Sequence, residues 1–273
     1  MSIPAYRWRA LPTVTTVAVA VGLLLVGPIV QPAWYYDFAD HSTFLGVPHA
    51  GDVISNIGFT VVGALGIMAL WPQRSHKGLR AGWNGYLLFL ISLILTGAGS
   101  AYFHLAPDNQ RLVWDRLPIA LACAGLLAAV RAETRRLPES ADDTIWFAFI
   151  AALSVAWWYY TGRNGAPGDL RPYLALQALT MVLIPQWQAI GRSANADRAW
   201  FAAACGVYIV ARLCELADHQ IHEALGFLSG HTLKHLLATA AATVVVVRLQ
   251  RRCAVHGGLR GGARSATAAT AES

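Results

Sequence analysis

The amino-acid sequence predicts an all-α, polytopic membrane helix bundle with eight spans. Of the 273 residues, 56% are hydrophobic and 13% are charged, whereas about 25% of the residues of an ordinary soluble domain are charged. The apolar residues fall into long runs, and a helix needs about 20 of them to cross a bilayer. This number of charged residues is too small to cover the surface of a soluble enzyme of this length. A chain with this many apolar residues is also not intrinsically disordered.

Eight apolar segments follow one another, and several are flanked by the Trp and Tyr residues typical of membrane interfaces. They are Thr13–Val30, Val53–Trp71, Trp83–His104, Asp115–Val130, Ile145–Thr161, Tyr173–Ile190, Trp200–Leu216 and His231–Val247. The first segment resembles a signal peptide, but Gln31-Pro32-Ala33 is a poor cleavage site, so we expect an uncleaved helix.

Three regions follow from these segments. Residues 1–36 form a short cytoplasmic stub and the first helix, and residues 37–249 form the helical core. Residues 250–273 form a tail rich in Arg, Gly, Ala and Ser, which we expect to be disordered and cytoplasmic.

The basic residues predict the orientation. If the N-terminus is cytoplasmic and the loops alternate, 15 of the 21 Lys and Arg residues fall on the cytoplasmic side. This asymmetry favours eight crossings with both termini inside. The basic excess therefore reports topology and gives no reason to expect a nucleic-acid partner. Arg greatly outnumbers Lys, which suggests a GC-rich bacterial genome and hence a bacterial inner membrane.

The same topology gathers polar residues on the outer, periplasmic side, where seven of the nine histidines lie. Ionisable groups at membrane depth are costly and usually face a cavity or a partner. The sharpest local pattern is His231-Thr-Leu-Lys-His235, because histidines four residues apart share a helix face and can bind one metal ion. Alternatively, both are interfacial histidines bonded to water or carbonyls. A metal would need a third protein ligand.

A third ligand is available at the end of the third predicted span. Ser100 and His104 are again four residues apart, and Asp115 opens the next predicted helix after a short turn. Helices joined so closely are antiparallel neighbours, so Asp115 should lie near His104. Taken singly, Asp115 could be a helix N-terminal charge, and Ser100 could bond within its own helix. Taken together with the histidine pair, they indicate a site.

A third group of polar residues, Asp52, Ser55 and Asn56, opens the second predicted span. Asp52 could be a helix cap or N-terminal charge, and the other two could be helix-packing residues. A supporting role in the site is the alternative, since hydrogen bonds between membrane helices are common.

In this order and spacing, the motifs resemble the alkaline ceramidase family. They are Gly-x-Gly-Ser-x-x-Phe-His at 97–104, Asp-Arg-Leu-Pro at 115–118 and His-x-x-x-His at 231–235, with Asp52-x-x-Ser55-Asn56 upstream. The family belongs to a superfamily of membrane hydrolases that includes the adiponectin receptors and certain lipid-remodelling proteins. The resemblance implies a seven-helix ceramidase-like core, to which the first helix is an addition.

The resemblance also implies roles for individual residues. His104, His231 and His235 would hold a zinc ion, Asp115 would assist the zinc-bound water, and Ser100 would help stabilise the oxyanion. Zinc lowers the pKa of a bound water to about 7 and polarises a carbonyl. A nearby carboxylate can move the water's proton, and a hydroxyl can donate to developing negative charge.

Two features depart from the family. Its eukaryotic members carry an acidic calcium site, of which residues 37–42 offer only a part, and His49 stands where a glutamate is expected, so calcium binding is doubtful. The seventh span ends in a polar cluster that the family does not require. It could tune the zinc shell, bind a second cation or form a structural network. The possible supporting residues are Asp37, Asp40, His49, Asp52, Ser55, Glu215, Asp218, His219 and His222.

We therefore expect a membrane zinc-dependent amidase that cleaves a ceramide-like lipid, its expected partner, at the outer face. The alternatives are an ester or other lipid hydrolase of the same superfamily, or a non-catalytic receptor or transporter with a metal site. A transporter should show internal repeats and helices broken at mid-membrane, whereas these polar residues gather at one end. The sequence indicates no protein partner.

Overall fold

A computed structural model describes residues 5–135, 141–163 and 165–269. Within these residues the chain is almost entirely helical. Its α-helices are α1 (Ala5–Val26), α2 (Ala50–Ile54), α3 (Ile57–Leu70), α4 (Trp83–Leu105), α5 (Asn109–Arg135), α6 (Asp142–Thr161), α7 (Arg171–Ile190), α8 (Asn195–Leu216), α9 (Asp218–Leu225) and α10 (Gly230–Ala269). Short 3-10 helices cover Ala33–Tyr36, Trp71–Gln73 and Arg80–Gly82, and strands β1 (Thr43–Phe44) and β2 (Val47–Pro48) pair antiparallel.

Seven helical stretches of the described chain are long and apolar enough to cross a membrane. They are Arg9–Val26, Ala50–Gln73, Arg80–Leu105, Asn109–Arg135, Asp142–Thr161, Asn195–Leu216 and Gly230–Ala254. The prediction of an all-α, multi-pass bundle is therefore confirmed, but the count of eight spans is not. The predicted span Tyr173–Ile190 corresponds to α7, which is less apolar because it contains three glutamines.

Although α7 is less apolar, it packs along the bundle from end to end. Just before its first turn, the Leu170 backbone N–H donates to the Ile29 carbonyl oxygen at 2.8 Å, close to the end of α1. Just after its last turn, Gly191 lies against Thr134, near the end of α5. The two ends of α7 thus reach opposite ends of neighbouring helices.

The centre of the bundle is the pair α4 and α5. Helix α4 also packs on α3, α5 packs on α6 and α7, and α10 packs on α8 and α3. Gly85 and Gly125 allow the two central backbones to touch, because a Cβ at Gly85 would lie 2.5 Å from the Gly125 carbonyl oxygen. The C-terminal end of α4 therefore lies beside the first turns of α5.

The second predicted span, Val53–Trp71, is interrupted between α2 and α3. Ser55 Oγ and Asn56 Nδ2 donate to the Asp52 carbonyl oxygen at 3.2 and 2.7 Å. Side chains that bond to nearby backbone groups compete with the regular helix. The interruption turns these polar side chains inward instead of leaving them on a continuous helix surface.

The last helix is longer than the sequence predicts. Helix α10 continues past Val247 to Ala269, across most of the segment whose composition predicts a disordered tail. The Ala, Leu and Arg residues of this segment favour extension of a helix that is already nucleated in the bundle, whereas its four glycines, at 257, 258, 261 and 262, each oppose it by about 1 kcal/mol. Residues 270–273 lie outside the described residues.

Asp169, in the loop between α6 and α7, ties three segments together. Its carboxylate accepts hydrogen bonds from Trp157 Nε1 at 2.9 Å, from the Ile29 backbone N–H at 3.3 Å and from Arg171 Nη2 at 2.9 Å. Desolvation raises the pKa of Asp169, but the hydrogen bonds from Arg171 and Trp157 outweigh it and lower the pKa to about 2.

We expect Asp169→Asn to lower the Tm of the detergent-solubilised protein at pH 7, through a loss of roughly 1 to 2 kcal/mol. The native pKa lies below the unfolded value of about 3.9, so this stabilisation is present above about pH 4 and is lost as the pH falls toward 2. The Tm difference from wild type should therefore narrow at pH 3. Glu223→Gln, at an exposed carboxylate, is the control, and an unchanged Tm for Asp169→Asn at pH 7 would contradict the prediction.

Candidate metal centre

Three histidines meet at one end of the bundle. His104 lies in the last turn of α4, and His231 and His235 lie in the first two turns of α10. Their side chains are buried, with exposed fractions of 1%, 5% and 3%. One ring nitrogen from each lies within 4.8 Å of the others, so this triad could hold a metal ion.

The separation of two of the ring nitrogens fits a tetrahedral ion. His104 Nε2 and His231 Nε2 are 3.2 Å apart, and two ligands bonded at about 2.0–2.1 Å at the tetrahedral angle are separated by about 3.3 Å. The buried His235 Nε2 has no hydrogen-bond partner among the described residues. An unsatisfied buried polar atom is costly, and a metal ion bound to its lone pair would remove that cost.

The other nitrogen of each ring, Nδ1, faces an oxygen of a neighbouring side chain. The three separations are 2.9 Å from His235 to Ser55 Oγ, 3.8 Å from His231 to Glu215 Oε1 and 4.0 Å from His104 to Asp52 Oδ2. Of the three, only the Ser55 contact is short enough for a hydrogen bond. It favours a proton on Nδ1 of His235 and leaves the Nε2 lone pair of that ring for a metal. The carboxylates of Glu215 and Asp52 lie near the other two rings without a hydrogen bond to their Nδ1 atoms.

Asp52 joins α2 to the start of α10. Its Oδ1 accepts hydrogen bonds from Ser229 Oγ at 3.1 Å and from Thr232 Oγ1 at 2.6 Å. Its Oδ2 has no hydrogen-bond partner in the described chain and faces His104. Asp52 is fully buried, so it supports the site and is more than a helix cap.

Asp40 and His49 shape the loop that leads into α2. Asp40 Oδ2 accepts the Asp52 backbone N–H at 3.0 Å, and its Oδ1 accepts the Ser42 N–H at 2.9 Å. Burial raises the pKa of Asp40, but the hydrogen bonds from Ser42 and Asp52 outweigh it and lower the pKa below its usual range. His49 Nδ1 contacts the Asp40 carbonyl oxygen, and its backbone is left-handed, with φ of 47°.

Two glycines allow α4 to approach its neighbours closely beside the triad. A Cβ at Gly97 would lie 2.1 Å from Thr60 Oγ1 on α3. A Cβ at Gly99 would lie 2.0 Å from the Trp114 carbonyl oxygen on α5. These two glycines are thus the positions along α4 at which its backbone can approach α3 and α5 most closely.

Ser100 and Asp115 come together at this contact. Ser100 lies one turn before His104, and its side chain faces the Asp115 carboxylate. Asp115 is buried and lies in the second turn of α5, which begins at Asn109. The prediction that Asp115 opens its helix is therefore wrong, because α5 begins six residues earlier. Asp115 instead faces α4 beside the triad.

Phe38 is a site residue that the sequence analysis missed. Its ring centroid lies 4.8 Å from that of His104 and 4.7 Å from that of His231. The side chain is 5% exposed, so it covers one side of the triad and excludes water. It lies in an irregular loop, where no periodic pattern could have identified it.

Asp218 holds both the Phe38 loop and the start of α10. Its Oδ2 accepts the Ala39 backbone N–H at 2.9 Å, and its Oδ1 accepts the His231 N–H at 2.7 Å. The polar cluster after α8 could tune the metal site, bind a second cation or form a structural network. These two hydrogen bonds give Asp218 the structural role.

The remaining predicted residues lie at different depths. His219 Nε2 is 3.0 Å from the Asp37 carbonyl oxygen, and both side chains are exposed. His222 lies half-buried on α9, one turn further along. Glu215, in contrast, reaches the triad through His231.

Lys234 is the second site residue that the sequence analysis missed. Its Nζ lies 2.7 Å from His231 Nε2 and 3.1 Å from Glu215 Oε1. Lys234 follows His231 by three residues, and residues three apart lie on the same face of a helix. This spacing is the signal in the sequence that places Lys234 beside His231.

No protein-family model matches the chain, and a comparison with curated proteins finds no match. The chemistry of the site has to be inferred from its own side chains.

We expect the purified protein to bind one divalent transition-metal ion per chain. Replacing His104, His231 or His235 with Ala should each lower the bound metal well below stoichiometry, because a three-histidine centre loses a ligand. Metal content after dialysis, measured by mass spectrometry, checks this. His219→Ala changes an exposed histidine and should retain the metal, and full metal content in all four variants would overturn the assignment.

Proposed function

We propose that the chain is an integral-membrane, zinc-dependent hydrolase that cleaves the N-acyl amide bond of a ceramide-like lipid to a sphingoid base and a fatty acid. The observation that carries the proposal is the buried triad with the Ser100–Asp115 pair one helix turn away. Three histidines with an open fourth position are a ligand set of catalytic zinc. The motif resemblance to alkaline ceramidases supports the choice of bond.

The side chains beside the triad suit amide hydrolysis. A zinc ion there would supply a Lewis acid and a water with a pKa of about 7. Asp115 can accept a proton from the water and return it to the leaving nitrogen. The Ser100 hydroxyl can donate to the oxygen that gains negative charge. Phe38 keeps bulk water from the triad, which strengthens these interactions.

A lipid substrate fits the surroundings of the site. Leu213 and Leu216, on the last turn of α8, expose 58% and 66% of their surface, beside the partly buried Glu215. Exposed apolar side chains on a membrane helix face lipid, so acyl chains can lie against them. The bilayer would deliver a two-tailed lipid laterally, with its polar amide at the helix ends.

We expect zinc-loaded protein to release a sphingoid base from an N-acyl sphingoid lipid in detergent micelles. Asp115→Asn should lower kcat by about 10²- to 10⁴-fold, as loss of a general base does, while zinc content is retained. Product formation followed by mass spectrometry checks this. Asp108→Asn, at an exposed carboxylate in the turn before α5, should leave the rate unchanged.

Two outcomes would count against the proposal. Zinc-loaded wild-type protein that turns over ester lipids but no N-acyl lipid would replace the amidase with an ester hydrolase. Zinc-loaded protein that turns over neither class of lipid would contradict a hydrolase and favour the receptor or transporter alternative.

We further propose that α7 is an eighth span, that both termini are cytoplasmic in a bacterial inner membrane, and that the triad faces the periplasm. The support is the placement of charge. Arg131, Arg248 and Arg252 lie at the end of the bundle opposite the triad, where Arg252 is paired with Glu133 at 2.8 Å. Basic residues gather on the cytoplasmic side of membrane proteins.

Single cysteines on either side of α7 test this topology. In a background without the native cysteines, Arg163→Cys should react with a membrane-impermeant maleimide from the periplasmic side. Ala194→Cys should react only after the inner membrane is permeabilised. Both positions are exposed, so access decides the labelling. Labelling of both from one side would mean that α7 does not cross.

A further inference from the structure

A lysine stands between the two histidines of α10, with its ammonium group at the metal centre. Lys234 Nζ donates to His231 Nε2 at 2.7 Å and to Glu215 Oε1 at 3.1 Å. The side chain is 16% exposed, so the group is shielded but not sealed off. Lys234 thus places a positive side chain in direct contact with the triad.

Glu215 holds Lys234 in place but does not neutralise the surrounding charge. The same carboxylate also pairs with Arg212, one turn earlier on α8. Two cations therefore share one anion. Two further carboxylates lie at the triad, Asp52, which accepts hydrogen bonds from Ser229 and Thr232, and Asp115 beside Ser100. Because Glu215 is shared with Arg212, the Lys234 ammonium group is only partly neutralised by its partner and can still bind an anionic oxygen.

The ammonium group also has donors to spare. It carries three N–H groups, and in the described chain two of them meet His231 and Glu215. A metal ion bound to His231 Nε2 would take the lone pair that Lys234 contacts, which releases a second N–H. Because the two cations repel each other, Lys234 is best stabilised by an oxygen anion bound between them.

We propose that Lys234 binds the acyl oxygen of the substrate and the carboxylate of the product at this centre. The identity of that substrate rests on the proposed function. When the water oxygen bonds to the carbonyl carbon, the C=O π pair moves to the carbonyl oxygen, where the Lys234 N–H groups bind the negative charge. Asp115 takes the proton that the water loses, and the C–N bond then breaks with its pair on nitrogen, which takes that proton from Asp115.

The chain offers a matched control, because its other lysine, Lys77, is exposed and lies outside the helices, between α3 and α4. Lys234→Met keeps the length and apolar stem of the side chain but removes its charge. Lys234→Arg keeps the charge with a different geometry. All variants are loaded with Co²⁺, whose visible spectrum reports changes at the metal.

Decanoate is titrated into each Co²⁺-loaded protein, and its Kd is read from the spectral change. We expect Lys234→Met to keep its metal and to raise the Kd at least tenfold, with a smaller rise for Lys234→Arg and none for Lys77→Met. In turnover assays, Lys234→Met should lower kcat by about 10²-fold, as loss of an oxyanion donor does, and should relieve inhibition by decanoate.

Wild-type Kd in Lys234→Met would overturn the inference. Loss of metal from Lys234→Met and Lys234→Arg alike would also overturn it, since Lys234 would then be a structural support of the triad. Lys234-dependent decanoate binding without hydrolysis of any N-acyl lipid would uphold the anion site while the proposed amidase fails. Hydrolysis of an N-acyl lipid that is unaffected by Lys234→Met would uphold the proposed amidase and overturn the anion site.

Discussion

Three imidazole rings buried at the end of a helix bundle impose the constraint on which the rest of the site depends. In a dry environment each ring must place its N–H against an oxygen, and its lone pair must also be satisfied. Here Nδ1 of His235 bonds to Ser55, the Nδ1 atoms of His231 and His104 lie 3.8 and 4.0 Å from carboxylate oxygens, and one nitrogen of each ring converges on a common point. A positive ion there would satisfy the three converging lone pairs at once.

Most of the surrounding structure serves this arrangement. Gly97 and Gly99 let α4 approach α3 and α5, which brings His104 and Ser100 beside Asp115. Gly230 does the same for α10, because a Cβ there would lie 2.2 Å from the Cys214 carbonyl oxygen on α8. Asp218 then fixes the first turn of α10 through the His231 N–H. Small residues at helix crossings and buried polar pairs between helices are both common in membrane bundles.

Local periodicity and charge placement explain why part of this could be read from the sequence. The i, i+4 spacing defines the pair His231 and His235, and the short turn after α4 predicts that Asp115 lies near His104. The contact of Ser55 with His235 could not be predicted, because it joins residues 180 positions apart. Phe38 and Lys234 gain their roles only through tertiary packing.

The central claim is that three imidazoles, bound through Nε2, hold a zinc ion. X-ray absorption spectroscopy at the zinc edge of the loaded protein tests it most directly. It should show three imidazole nitrogens and one oxygen at about 2.0–2.1 Å, with the multiple scattering typical of histidine. A first shell with sulfur at about 2.3 Å, or with fewer than two imidazoles, would contradict the claim.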